Sequence, residues 1–200
     1  MRDTFTRIYA SGEWGREESR SGFGSNLVQT EVIRGELPRL VRALGVRTFL
    51  DVPCGDWFWM SRVDLGVERY VGADVVPWVV ERNRERFGAP GREFRVLDLL
   101  ADPLPQADLV FCRDCLVHFS DADVFRALDA IRASGATWLV TTTFPRWDNW
   151  DIDTGGWRPI NLTAPPFSLA PPVRLVNEHC TEYHPHFTDK SLGVWRVADL

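Results

Sequence analysis

Phe49-Leu50-Asp51-Val52-Pro53-Cys54-Gly55-Asp56-Trp57 decides the fold. Residues 46–52 form a short apolar, partly β-branched run bounded by turn residues, which predicts a buried strand. It delivers Asp51 at its C-terminal end, directly before a tight turn. In open α/β sheets ligands bind at that edge, where the strand order reverses. Twenty-three residues on, Tyr70-Val71-Gly72-Ala73-Asp74 ends a second strand, residues 69–74, on another acid. A third strand, residues 93–98, ends on Asp98. An acid ending the second strand suits the paired hydroxyls of a ribose, and one ending the third suits an adenine amino group. A strand-ending Asp is also a common turn former, so the signal is the succession of three.

The rest of the chain alternates in the same way. Pro77 opens a helix and Phe87-Gly88 ends it. Residues 107–112 form a fourth strand, Ser120-Asp121-Ala122-Asp123 caps a helix to about residue 134, and residues 136–143 form a fifth strand. Alternating strands and helices mean βαβ units and a parallel sheet. Before them, residues 25–44 have helical spacing with Ser25 as cap, and Pro38 is expected to kink or split that helix. Residues 1–24, rich in Gly, Ser, Glu and Arg, read as a cap or lid. Residues 144–172 hold six of the thirteen prolines and no helical period, which marks a long functional loop. Two strands near 173–179 and 192–198 close the sheet, with His184-Pro185-His186 in the hairpin between them. The expectation is one α/β domain over residues 1–200, with a cap over 1–45, about seven mostly parallel strands, helices on both faces and a substrate loop at 144–172.

Composition narrows the classes. With 44% hydrophobic and 26% charged residues, the chain has a core to bury and is not disordered. No apolar run approaches the roughly 20 residues of a membrane span. Met1-Arg2-Asp3-Thr4 is followed by no apolar stretch, so a cytoplasmic protein is expected. The net charge of -5 argues against a broad nucleic-acid surface. Lys190 is the only lysine among 23 basic residues, which reads as genome composition. Cys54, Cys112, Cys115 and Cys180 are expected to be reduced thiols. A zinc site from the Cys112/Cys115 pair with His179, Cys180, His184 or His186 lacks a second well-spaced ligand pair, so no metal is expected. Asp151-Ile152-Asp153-Thr154-Gly155 has part of a calcium-loop spacing without the remaining ligands.

The pattern over residues 25–143 resembles the class I S-adenosylmethionine-dependent methyltransferases. Leu50 to Trp57 resembles their first motif, with Pro53 and Trp57 where glycine is commonest. Asp74 matches their ribose-binding acid and Asp98-Leu99 their adenine-contacting position. Asp108-Leu109-Val110-Phe111-Cys112-Arg113-Asp114 resembles the fourth strand and the loop after it. A Rossmann dehydrogenase is the competitor, but the turn is not G-x-G-x-x-G, and an acid before it faces a pyrophosphate badly. The same acid faces the cationic methionine amine well. The resemblance implies S-adenosylmethionine as cofactor, held by Trp14, Ser25, Asp51, Pro53, Cys54, Gly55, Asp56, Asp74, Val75, Asp98, Leu99 and Arg113. Ser21-Gly22-Phe23-Gly24-Ser25 offers freed amides to an anion, or is a plain linker.

The segment from Cys112 to His118 lies where the methyl group would sit. His118 has an ordinary pKa suited to base work, and Asp114, four residues earlier, is positioned to orient it if the segment is helical. The plainer alternative is a histidine packed on Phe119. Trp57, Trp59, Trp78, Trp138 and Trp195 are expected in the core, whereas Trp14, Trp147, Trp150 and Trp157 lie in loop-like sequence where aromatics line sites. Trp147, Trp150, Trp157, Arg158, His184 and His186 are the expected substrate residues, and Arg158, His184, His186 and Lys190 alternatively gather around an anion. The chain as a whole resembles small bacterial methyltransferases of carbohydrate or polysaccharide tailoring. The expected reaction is methylation of an oxygen on a small sugar or other polyhydroxylated acceptor. A nitrogen, an anionic phosphorus oxygen, or a non-catalytic cofactor-binding module serving a partner protein are the alternatives.

Overall fold

The structure is a computed structural model that describes residues 1–15 and 18–200. Residues 16 and 17 of the expected cap lie outside the described residues. Seven strands form one sheet: β1 (Thr48–Asp51), β2 (Arg69–Asp74), β3 (Arg92–Val96), β4 (Leu109–Cys112), β5 (Trp138–Thr143), β6 (Arg174–Asn177) and β7 (Ser191–Arg196). Their order is β3-β2-β1-β4-β5-β7-β6. Only β7 runs against its neighbours β5 and β6. It returns the chain as a hairpin and needs no crossover helix.

The central strands are buried on both faces, which is why they read as continuous apolar runs. Leu50, Val71, Val110 and Leu139 point to one face, covered by α1 (Arg2–Ser11) and α4 (Asp121–Ala133). Phe49, Tyr70, Phe111 and Val140 point to the other, covered by α2 (Glu31–Ala43). The helix α3 (Pro77–Phe87) sends Val79 to the first core and Val80 to the second. Each such side chain contributes roughly 1.5–3 kcal/mol on burial. Among the described residues no helix is long and apolar enough to cross a membrane.

Several boundaries follow the local chemistry. Pro77 stands in the first turn of α3, where its missing N–H costs nothing. Ser120 Oγ accepts from the Asp123 N–H at 3.3 Å and starts α4. Two expectations on α2 need correction. It begins at Glu31, not after Ser25, because Ser25 ends a separate 3-10 turn and Asn26 Oδ1 and Thr30 Oγ1 fold the intervening residues into turns. It also runs unbroken through Pro38. Ile33 and Leu37 before the proline and Leu40 and Val41 after it are all buried, and their packing outweighs the roughly 3 kcal/mol an interior proline costs.

Residues 144–172 contain no helix or strand but are firmly tied. The Asn149 and Asn161 amides staple the loop across itself: Asn149 Nδ2 donates to Asn161 O, Asn161 N to Asn149 Oδ1, and Asn161 Nδ2 to Pro145 O and Trp147 O. Ile160, Leu162, Phe167 and Leu169 drop into the core. Amide pairs and spaced apolar anchors replace the helix that the βαβ pattern leads one to expect.

Candidate active site

β1 lies between β2 and β4, so the chain leaves it in one direction and returns on the other side. A cleft opens at that reversal, across the C-terminal ends of β1, β2 and β4, as α/β sheets generally place their ligand sites. Aromatic and apolar side chains line it together with a few carboxylates, as small-molecule sites generally are lined.

Its floor is the turn after β1. Gly55 adopts a left-handed φ of 54°, and a Cβ there would overlap Ser21 Oγ. The turn is held from both sides: the Gly55 N–H donates to Asp74 Oδ2 at 3.1 Å, and the Asn83 amide of α3 donates to the Gly55 carbonyl at 2.8 Å. Asp74 also accepts from the Val76 N–H at 2.9 Å. Asp51 accepts from the Tyr70 hydroxyl, which itself accepts from Trp57 Nε1 at 2.6 Å. Both carboxylates are almost wholly buried. Burial pushes Asp51 up to about 8, the Tyr70 hydrogen bond opposing. It pushes Asp74 up to about 6 against its backbone amides.

The roof comes from the N-terminal segment. Phe5 and Tyr9 of α1 pack against Trp14, with ring centroids 5.9 and 5.4 Å away. Asp56 latches residues 19–21: its carboxylate accepts from Ser19 Oγ, the Arg20 N–H and Ser21 Oγ. The Ser21-to-Ser25 stretch turns the Ser21 hydroxyl onto Asp56 and gives its Gly24 carbonyl to Arg113 at 2.8 Å; its only helical piece is the three-residue 3-10 turn Phe23–Ser25, too short to make an anion site.

The far wall follows β4. Arg113 donates to Glu178 at 2.6 Å and lies 3.1 Å from Asp114, while Lys190 Nζ reaches Asp114 at 2.7 Å and Glu178 at 3.9 Å. Burial favours a neutral Asp114, but the neighbouring Arg113 and Lys190 overcome it and hold the carboxyl at about 2. Burial likewise opposes the charge on Lys190, and Asp114 and Glu178 more than restore it.

His118 ends a 3-10 turn, Leu116–His118. Its ring lies 4.9 Å from Trp14 and edge-on to Phe5. Nδ1 is 2.7 Å from the Gly156 carbonyl. A carbonyl only accepts, so Nδ1 carries the proton and the neutral ring presents its lone pair at Nε2. Burial lowers the His118 pKa, against the Gly156 bond and Asp114.

Of the residues singled out from sequence, Trp14, Ser25, Asp51, Pro53, Cys54, Gly55, Asp56, Asp74, Val75, Leu99, Arg113, Asp114 and His118 line this one cleft. Asp98 does not. β3 ends at Val96, so Leu97 and Leu99 face the cleft and the Asp98 carboxylate accepts from the Leu100 N–H at 3.0 Å. Asp114 does not orient His118; it is taken by Lys190, Arg113 and Thr142, and the orienting partner is Gly156.

The expected substrate residues stand outside the cleft wall. Arg158 is fully buried and donates to Phe119 O at 2.6 Å and Asp121 Oδ1 at 2.8 Å. Trp147 and Trp157 pack on Phe187, Trp150 is exposed, and His184 and His186 are exposed in the β6–β7 connection. Nor do the basic residues gather around an anion: Lys190 is in the buried charge cluster and Arg158 in its own clamp. Of the calcium-like acids, Asp151 is used internally, accepting from the Asp121 and Ile152 N–H groups. All four cysteines are buried free thiols, and among the described residues no group of three His, Cys, Asp or Glu is arranged to hold a metal.

Sequence reasoning missed Phe5 and Tyr9 of the roof, and Trp59, read as core, which also lines the cleft. It missed the Glu178–Arg113 pair and read the single lysine as composition or as part of an anion-binding group. That singularity was the available signal: the one lysine of the chain sits at a buried ion pair.

No family model and no curated protein matches the chain by sequence. Solved structures do match it. The N-methyltransferase NodS from Bradyrhizobium japonicum WM9, in complex with S-adenosyl-L-homocysteine, superposes with a TM-score of 0.69 at 18% identity, over 94% of this chain and 97% of that one. Human N-acetylserotonin methyltransferase in complex with SAM superposes with a TM-score of 0.67 at 15% identity, over 97% of this chain, which spans 59% of that enzyme's length. The methyltransferase domain of a bacterial Hen1 gives 0.61 at 14% identity, over 86% of this chain and all of that one. The fold is thus the Rossmann-like fold of class I methyltransferases.

Proposed function

We propose that the chain transfers a methyl group from S-adenosylmethionine to an oxygen of a small uncharged acceptor, a sugar or another hydroxyl-rich molecule. One observation carries this reading: two buried carboxylates without a cationic hydrogen-bond partner, Asp51 and Asp74, share a cleft with a histidine whose Nε2 lone pair is left free. S-adenosylmethionine supplies a methyl group on a positively charged sulfur, together with an ammonium group and a ribose diol. The donor set fits those features. Asp74 would take the ribose hydroxyls, Asp51 would face the ammonium, and Leu97 and Leu99 would flank the base. Burial raises both carboxyls, Asp51 the further, and a cation arriving beside them favours their charged forms.

The chain's own groups do the rest. His118 Nε2 accepts the proton of the acceptor hydroxyl as that oxygen attacks. Phe5, Tyr9 and Trp14 exclude water from above, and the turn after β1 fixes the floor, so the protein supplies alignment and a dry site. An anionic phosphorus acceptor is disfavoured by the charge pairing. Arg113 and Lys190 are bound to Glu178 and Asp114, and Arg158 is bound to Asp121.

Calorimetry with S-adenosylmethionine and S-adenosylhomocysteine, followed by a coupled assay for the demethylated product over a panel of hydroxyl, amine and phosphonate acceptors, tests the reading. Saturable binding and turnover with hydroxyl acceptors is the expected result. Absence of binding overturns it, turnover only with amines or phosphonates overturns the oxygen assignment, and binding without any turnover leaves a cofactor-binding module.

A further inference from the structure

His118 owes its free Nε2 to a carbonyl, not to a side chain, and that carbonyl belongs to the Pro-rich loop. The contact is one rung of a short ladder between residues 117–121 and 151–158. The Gly155 N–H donates to His118 O at 2.8 Å and the Arg158 N–H to Val117 O at 3.0 Å, on either side of the Gly156 bond to the ring. Side chains clamp both ends. At one end Thr154 Oγ1 accepts from the Ser120 N–H at 3.0 Å and donates to Asp123 at 2.6 Å, and Asp151 accepts from the Asp121 N–H at 2.7 Å. From the other end of the loop segment the Arg158 guanidinium reaches back to bridge Phe119 O and Asp121.

We propose, resting on the reading of His118 as the base, that Arg158 is a positioning residue: by clamping 154–158 onto 117–121 it holds the Gly156 carbonyl against Nδ1 and keeps the lone pair at Nε2. Its chemistry suits this task. The planar fork reaches a carbonyl and a carboxylate two residues apart, which an ammonium on a flexible stem does not do with the same fixed geometry. The residue is entirely buried, and its Nε lacks a partner among the described residues, a cost that an apolar filler would avoid. The guanidinium is therefore placed by what it holds and not by packing alone. The other charged groups acting on His118 are Asp114, from the end of β4, and Lys190, from the start of β7; Phe5 and Trp14 cover the ring from the N-terminal side. None of these supplies an acceptor to Nδ1.

The test is long-range proton–nitrogen NMR on protein labelled with 15N-histidine, with His118→Gln identifying the signal among the four histidines. Above its pKa, wild-type His118 is expected to show an unprotonated Nε2 and a protonated Nδ1. Arg158→Met is expected to lose that single pattern for mixed or Nε2–H tautomers, with S-adenosylmethionine affinity within twofold of wild type. Arg158→Lys is not expected to restore it. Should Arg158→Met fail to fold, Thr154→Val removes the opposite clamp without leaving a buried charge and is expected to shift the tautomer in the same direction. A wild-type ring protonated at Nε2, or an unchanged pattern in the folded variants, overturns the proposal. Calorimetry on the wild type reports separately on the methyltransferase reading, so a correct tautomer without cofactor binding would sink that reading and leave the role of Arg158 standing.

Discussion

The two halves of the cleft treat their carboxylates oppositely: Asp51 and Asp74 are almost wholly buried and lack a cation, whereas Asp114, a quarter exposed, is paired with two. On the β1–β2 side, Asp51 and Asp74 are bonded by a phenol and by backbone amides, and burial raises them to about 8 and about 6. On the β4–β7 side, Asp114 is bonded by Lys190 and Arg113 and falls to about 2. Desolvation dominates where no cation is paired, and a paired cation overrides it where one is. The first half is electrostatically incomplete and suits a cationic ligand. The second is already neutralised and acts as a rigid wall.

Breaking the second half should have the largest effect. Lys190→Met leaves Asp114 and Glu178 with one cation between them. Loss of about 3–5 kcal/mol in denaturant unfolding is expected; a change under 1 kcal/mol would show that the pair is not structural. His118→Ala, between the halves, is expected to lower turnover by roughly 10²–10⁴-fold with cofactor affinity preserved. Normal turnover would remove the base assignment. Asp74→Asn should weaken cofactor binding on the order of 10²-fold through lost charged hydrogen bonds, measured by calorimetry.

A pH experiment sharpens the contrast. For Asp51 the folded pKa, about 8, lies above the ordinary 3.8. Between those values the folded state holds a proton that the unfolded chain has released, so this group's stabilisation is lost as pH rises through that window. Asp114 acts in the other direction: its contribution is present above the ordinary value and is lost as pH falls toward about 2. Asp51→Asn should therefore flatten the decline in stability between pH 4 and 8, as read by melting at a series of pH values. Cofactor binding at pH 7 should release protons from the first half, giving enthalpies that differ between phosphate and Tris buffers. Identical enthalpies would contradict the raised carboxylates. The smallest effect belongs to His184→Ala and His186→Ala, exposed and off the cleft wall. Changes within about 0.5 kcal/mol are expected, and a large loss of turnover would return these histidines to the site.

The legibility of the site divides along the same lines. β2 and α3 begin and end where the sequence places them, because a strand ending in Asp74 and a helix opening at Pro77 are written in adjacent residues. The Ser120 cap was legible for the same reason. The floor of the cleft, Asp51 to Asp56 with Asp74, comes from consecutive strand ends. Asp98 was misplaced by a strand that stops two residues earlier than its apolar pattern suggests. The partners of Asp114 and His118 were not legible at all. Lys190 stands 76 residues from Asp114 and Gly156 stands 38 residues from His118, in loops with no period to read.

The sequence by itself determined the alternation of strands and helices, the parallel core and the acids at the ends of β1 and β2, since these follow from hydrophobic period, caps and turn residues acting over a few positions. Only the tertiary structure decided which acids keep their charge, which tautomer His118 adopts, and that Arg158 is a clamp inside the protein. Those outcomes depend on desolvation and on hydrogen bonds closed between distant segments. Such terms exist only once the chain has packed.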